Sequence, residues 1–233
     1  MQLRPYQTAS IESIKADWQA GFTDLLAVLA TGGGKTIVFL KLLDDVLQPG
    51  QRALILAHRQ ELISQPYDRI AQFWPHRLSR TGIVMADRNE THGQIVIATV
   101  QTLQSDKRMA QLLKAGAIDY LIVDECHHST SASMQKVIST LKDVNPRLRH
   151  LGVTATPLRA DGAGLRKVYQ KESATTALRS WSRPATLRRL DGWQFRPESA
   201  SATFAHKAAA RIEISTCASW RMSTRLPTVS IWL

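Results

Sequence analysis

The stretch LLAVLATGGGKT, residues 25–36, constrains this chain most. An apolar run ends abruptly in three glycines, a lysine and a threonine. Within regular structure a glycine costs about 1 kcal/mol relative to alanine, so three in succession imply a need for bare backbone. A strand, a glycine-rich turn and a helix together create that need. Backbone N–H groups then surround a phosphate, and the helix N-terminus adds partial positive charge. In such a loop Lys35 reaches the β and γ phosphates and the Thr36 hydroxyl can hold Mg²⁺. The strict pattern G-x-x-x-x-G-K-[ST] asks for glycine at 29, where this chain has Leu29. The plainer alternative is a flexible turn ahead of a helix.

The surrounding pattern supports a strand–turn–helix context. Short apolar runs recur at 25–30, 52–57, 94–99, 119–124 and 149–154. Runs of this kind fit strands covered on both faces, as in a parallel sheet. Helical spacing lies between them. Met134, Val137, Ile138 and Leu141 fall at i, i+3, i+4, i+7, with Ser131 or Ser133 available as N-cap. Leu62, Ile63, Tyr67, Ile70 and Phe73 form a second helical stripe, in which Pro66 should produce a kink against the carbonyl of Leu62. Alternation of strand and helix predicts a doubly wound α/β domain with helices on both faces of the sheet. Past about residue 166 the alternation stops. Scattered tryptophans, serines and arginines follow, and only ARIEIS, 210–215, suggests a strand.

A second cluster, LIVDECHH (121–128), ends a strand with adjacent carboxylates. At that edge Asp124 can bind a nucleotide's Mg²⁺ through water, and Glu125 can orient and deprotonate an attacking water. A solvated loop is the alternative for this Asp–Glu pair. Cys126, His127 and His128 have the chemistry of metal ligands. Consecutive residues at a strand end point in different directions, however, and no second Cys/His pair occurs at zinc-site spacing. Zinc is therefore not expected.

Composition limits the remaining classes. No run of about 18 apolar residues is present, which argues against a membrane span. The first ten residues lack the apolar segment of a signal peptide. Two cysteines, Cys126 and Cys217, cannot build a disulfide framework, so a reducing cytoplasm is the expected setting. The formal net charge of +11 is unevenly spread. Residues 1–166 carry 19 basic and 15 acidic side chains, whereas residues 167–233 carry 11 and 4. Most of the apparent affinity for polyanions thus resides in the last 67 residues.

Taken in order, six segments resemble superfamily 2 helicases of the DEAD/DEAH class, and most closely the group related to the Res subunit of type III restriction enzymes. LRPYQ (3–7) resembles the adenine-reading glutamine motif. ATGGGKT (30–36) is similar to motif I, LILAHRQELISQ (54–65) to motif Ia and VIATVQTL (96–103) to motif Ib. VDECHH (123–128) is similar to motif II in its DECH variant, and LGVTATPLRADGAG (151–164) to motif III. The resemblance implies a RecA-like P-loop domain over residues 1–166 that binds ATP and Mg²⁺. Gln7 would read adenine with Arg4 as a ring partner, and Thr31, Gly32, Gly33, Gly34, Lys35 and Thr36 would hold the phosphates. Thr36 and Asp124 would hold Mg²⁺. Lys35, Asp124, Glu125 and His127 would serve hydrolysis. His58, Arg59, Thr99 and Gln101 would touch the backbone of a nucleic acid, with DNA the expected polymer. Thr154 and Thr156 would couple nucleotide state to that grip.

Two departures qualify these expectations. Leu29 is the mild one, since this class tolerates other residues there. The second is the lack of any Q-x-x-G-R-x-x-R pattern in the 233 residues. In this family a second RecA-like domain supplies that arginine, so a partner subunit or a missing second domain is the expected partner of this chain. Arginine fingers are worth about 10³–10⁵ in rate in related phosphoryl transfers. The chain alone is thus expected to bind ATP better than it hydrolyses it, and not to unwind duplexes. The competing reading is a non-enzymatic, ATP-dependent nucleic-acid-binding module whose residues 167–233 form a basic arm. A P-loop switch or kinase unrelated to nucleic acid is disfavoured by the ordered Ia, Ib and III segments.

The tail itself reads as out of frame. Its charge balance, periodicity and tryptophan use all change just past DGAGL, whereas evolved domains are consistent across levels. Codons permitted for ALRSWSRPATLRR (177–189), read from their third base, give V-A-E-L-V-A-A-G-H-L-A-P, similar to the segment that follows motif III in the family. Sequencing the gene tests this. The shifted frame downstream is expected to encode a second domain bearing Q-x-x-G-R-x-x-R, and its absence there would leave the basic arm as the better account.

Overall fold

A computed structural model describes residues 2–57, 62–155 and 164–175. Eight strands form one sheet: β1 (Asp24–Val28), β2 (Ala53–Ala57), β3 (Thr81–Met85), β4 (Arg88–Asn89), β5 (Ile95–Thr99), β6 (Tyr120–Asp124), β7 (Arg149–Thr154) and β8 (Lys171–Thr175). Their spatial order is β4-β3-β5-β2-β6-β7-β1-β8. Every pairing is parallel except β3 with β4. The described helices are α1 (Pro5–Gln19), α2 (Lys35–Val46), α3 (Ser64–Phe73), α4 (Pro75–Leu78), α5 (Val100–Leu103), α6 (Asp106–Lys114) and α7 (Ala132–Val144). None of the described helices is long and apolar enough to cross a membrane.

The two-residue period of a strand sorts its side chains onto two cores. Leu25, Ala27, Ile55, Ile97, Ile122 and Leu151 point to one face, where Ile14 and Trp18 of α1 and Phe39, Leu42 and Leu43 of α2 cover them. Leu26, Val28, Leu54, Val96, Leu121 and Val123 point to the other, under Leu103 of α5, Met109 and Leu112 of α6 and four residues of α7. Both faces are dry, which is why the strands read as continuous apolar runs rather than alternating ones. Full burial of each large side chain stabilises by about 1.5–3 kcal/mol. Helix α7 forms as its spacing predicts: Met134, Val137, Ile138 and Leu141 are buried, and the Ser131 hydroxyl caps it by accepting the Met134 N–H at 3.4 Å.

Three expectations need correction. The five strands expected from sequence are present, but β3, β4 and β8 are additional. Short TGIVM and polar KESAT give weak apolar signals, and β4 and β8, the two edge strands, need little burial. The kink expected at Pro66 does not arise. Helix α3 starts at Ser64, so Pro66 lies in its first turn, where a missing N–H removes no intrahelical bond. The boundary expected at residue 166 is too early: β8 pairs with β1, and Tyr169 packs into the core. Residues 176–233, including ARIEIS and Cys217, lie outside the described residues.

A polar cluster is sealed at the N-terminal edge of the sheet. His150 of β7 is fully buried and its Nδ1 lies 2.9 Å from Asp24 Oδ1 of β1, while Lys142 of α7 reaches the same oxygen at 2.5 Å. Burial raises the proton affinity of Asp24, but its bonds to His150 and Lys142 outweigh this and hold its pKa at about 2. Burial also pushes the His150 pKa below its ordinary value, ahead of the opposing pull of Asp24. His150 Nε2 has no hydrogen-bond partner, as suits a neutral ring. A depressed folded-state pKa means the unfolded chain binds the proton first as pH falls. The His150 contribution is thus present above about pH 6.5 and lost below it, and the Asp24 contribution is lost between about pH 4 and 2. Urea unfolding is expected to show stability falling from pH 7 to pH 5. In His150→Asn the chain should be less stable at pH 7 and the slope across that interval shallower, whereas an unchanged slope would contradict the assignment.

Candidate active site

Parallel pairing brings the chemistry to one place. Strands β6, β7 and β1 are neighbours, so the loops after Asp124, Thr154 and Val28 emerge at the same, C-terminal edge. In open α/β sheets ligands bind outside that edge.

The glycine turn lies between β1 and α2. Leu29 is buried in the core, and its N–H continues the sheet by donating to the Thr154 carbonyl at 2.9 Å. A side chain is therefore accommodated at 29. Bare backbone is required further on. A Cβ on Gly33 would stand 2.8 Å from the Ala30 oxygen. Gly34 caps α2 in the left-handed conformation, φ +74°, and a Cβ there would stand 2.6 Å from Gln7 Nε2. The amides that open α2 have no partner within the helix.

Glu125 also has left-handed backbone, φ +50° and ψ +49°, a conformation that costs a non-glycine residue about 1–3 kcal/mol. Its N–H donates to Asp124 Oδ1 at 2.9 Å, and a 3₁₀ turn over Cys126–His128 follows. This bend sends the carboxylate toward the loop. Lys35 Nζ meets Glu125 Oε1 at 2.5 Å, bridging segments 90 residues apart. His127 Nδ1 lies 3.3 Å from Glu125 Oε2 and 3.3 Å from Thr154 Oγ1, linking the ends of β6 and β7. Burial is the largest influence on Asp124 and raises its pKa, against the pull of Lys35. Cys126 turns away into the apolar core, where burial pushes its thiol up to about 12. A protonated, core-facing thiol is no part of the polar cluster.

The N-terminal segment supplies the remaining wall. Gln7 accepts the Arg4 N–H at 2.9 Å and donates to the Gly33 carbonyl at 3.1 Å. The Tyr6 hydroxyl donates to the same carbonyl at 2.8 Å, a contact that nothing in the linear pattern signals beyond adjacency to Gln7. Thr31 and Gly32 are exposed, and Thr36 lies on the first turn of α2. Farther along the same edge Thr99 is only 1% exposed; its hydroxyl accepts the Thr102 N–H at 3.3 Å and caps α5. Thr99 therefore aims Gln101, which is exposed, rather than facing solvent itself. His58, Arg59 and Thr156 lie outside the described residues.

Comparison with known proteins decides the family. Residues 1–159 match the type III restriction enzyme, res subunit, family. This chain belongs to that family of helicase-type ATPases. Over 178 residues it is 28% identical to a Saccharomyces cerevisiae protein that bears the name ATP-dependent helicase IRC3, covering 72% of this chain and 25% of the relative. A mitochondrial ATP-dependent helicase of the same name from Schizosaccharomyces pombe is 30% identical over 172 residues, covering 71% and 28%. The chain thus spans about a quarter of the length of these relatives. Among solved structures, the type ISP restriction-modification enzyme LlaGI, in complex with a DNA substrate mimic, superposes with a TM-score of 0.60 at 18% identity, covering 94% of this chain and 23% of that one. The match is one of fold, the RecA-like α/β domain.

The crowding at Gly34 yields a prediction. Gly34→Ala forces a Cβ against Gln7 and retains a left-handed backbone, so it is expected to destabilise the chain by about 1–2 kcal/mol in urea unfolding. Nucleotide binding should be lost as well. Unchanged stability would show that the loop relaxes freely.

Proposed function

We propose that this chain is the ATP-binding, N-terminal RecA-like half of a DNA-directed helicase or translocase. The observation that carries the reading is the contact of Lys35 with Glu125, joined through His127 to Thr154. Three sequence segments converge there at one sheet edge. The donor set fits the nucleotide and its metal: a glycine turn in which a Cβ at 33 or 34 would clash with Ala30 or Gln7, a lysine at its mouth, the Thr36 hydroxyl and a carboxylate on Asp124. Mg²⁺-ATP, when bound, supplies the phosphoanhydride and the charge that polarises it.

The roles of the chain's own groups follow. Gln7 and Arg4 face the base. Thr31, Gly32, Gly33 and Gly34 line the phosphates with backbone N–H groups. Lys35 exchanges its carboxylate partner for phosphate oxygens, which frees Glu125 to hold and deprotonate water. Thr36 and Asp124 hold Mg²⁺. His127 senses that change and passes it to Thr154 and, beyond it, Thr156. His58, Arg59 and Gln101 hold a nucleic-acid backbone, which gives affinity and salt dependence without base specificity. The Q-x-x-G-R-x-x-R pattern of a second domain does not occur in the 233 residues, so hydrolysis by them alone is expected to be slow and unwinding absent. A cytoplasmic setting fits a free, buried Cys126.

Thermal unfolding with and without Mg²⁺-ATP tests the reading. Ligand at 100 times its dissociation constant should add about 2.7 kcal/mol of stability. Lys35→Ala, which loses the cation at the loop, should abolish the shift. Absence of any shift at millimolar nucleotide, or an equal shift in the variant, would overturn the proposal.

A further inference from the structure

We infer that Tyr6 is a positioning residue that sets the phosphate loop and ties it to the base-reading segment. The inference rests on the ATP-binding reading above and adds a residue to it. Two donors from α1 converge on one acceptor: the Tyr6 hydroxyl at 2.8 Å and Gln7 Nε2 at 3.1 Å both bond the Gly33 carbonyl. A carbonyl oxygen has two lone pairs, and here both have a donor. The peptide joining Gly33 to Gly34 is trans, since no cis peptide occurs among the described residues. In a trans peptide the N–H points opposite to the C=O. Holding the Gly33 oxygen against α1 therefore turns the Gly34 N–H away from α1, toward the side of the loop that a phosphate approaches.

Glycine needs such an external restraint. Gly33 and Gly34 have no side chains with which to fix their own dihedrals, and an unrestrained glycine turn loses more entropy on ordering than any other. Freezing it before the ligand arrives lowers the cost of binding. Gln7 by itself is a poor anchor, because its carboxamide must also face the base. Tyr6 does not share that duty. Its rigid ring starts on the first turn of α1, and its hydroxyl also lies 3.5 Å from Arg4 Nη1. A chain of contacts thus runs from Arg4 through Tyr6 to Gly33, from the base side of the site to the phosphate side.

This arrangement separates two quantities that a purely structural residue would change together. Loss of the Tyr6 hydroxyl leaves the ring in place and the base contacts of Gln7 intact, but loosens the peptide at 33–34. Discrimination should fall for phosphates and not for the nucleoside. The test uses the full chain as wild type, Tyr6→Phe and Lys35→Ala, with Mg²⁺-ATP binding measured by calorimetry and adenosine binding by saturation-transfer NMR. Tyr6→Phe is expected to bind Mg²⁺-ATP five- to tenfold more weakly and adenosine unchanged. If the wild type binds no Mg²⁺-ATP, the ATP-binding reading itself fails. If wild type binds and Tyr6→Phe binds equally well, or weakens ATP and adenosine alike, Tyr6 does not position the loop.

Discussion

Parallel pairing of β6, β7 and β1 is the constraint on which the rest of this structure depends. Parallel strands share a direction, so their C-terminal ends lie along one edge and their outgoing loops emerge together. Covering both faces of such a sheet requires apolar side chains at nearly every strand position, and the two buried cores meet that demand. The loops at the edge are released from packing and can carry chemistry. A lysine at 35 and a carboxylate at 125 come within 2.5 Å only because strands distant in sequence are neighbours in the sheet.

The edge concentrates unusual backbone as well as charge. Gly34 and Glu125 both adopt left-handed conformations, one on each side of the Lys35–Glu125 contact. Glycine does this without penalty, whereas glutamate is held there by the Asp124 side chain and by a 3₁₀ turn whose Cys126 is anchored in the core. Strain at Glu125 is therefore offset by burial one residue away. Tyr169 extends the support from beyond the matched segment. Its ring leaves no room for a Cβ at Gly152, and its hydroxyl lies 2.8 Å from Ser129 Oγ, at the end of the same turn.

Much of this was legible in the linear pattern. Five strands, the capped α7 and the glycine turn follow from periodicity and from turn chemistry, which are local. The place of Asp124 and Glu125 at a strand end was legible too, because the apolar run stops there. What local pattern could not give was the fate of borderline residues. That Thr99 is buried and caps α5 is one such feature, since its surroundings come from packing and not from its neighbours in sequence. Pro66 looked like a kink because the apolar stripe began before it, yet the helix itself starts later. KESAT gave no strand signal, because an edge strand with two inward side chains borrows its order from the neighbour it pairs with.

The sequence by itself determined which chemical groups this protein has and which kind of element carries each. Hydrophobic period, glycine placement and the order of the six segments are properties of neighbouring residues, and so they survive in one dimension. The tertiary structure alone decided who meets whom. Strand order placed β7 between β6 and β1, so His127 bridges Glu125 and Thr154. The docking of α1 brought Tyr6 and Gln7 onto a carbonyl 27 and 26 residues away. The physical reason is that hydrogen bonds and ion pairs act over a few ångströms of space, whereas chain distance between the partners sets only the entropy of bringing them together.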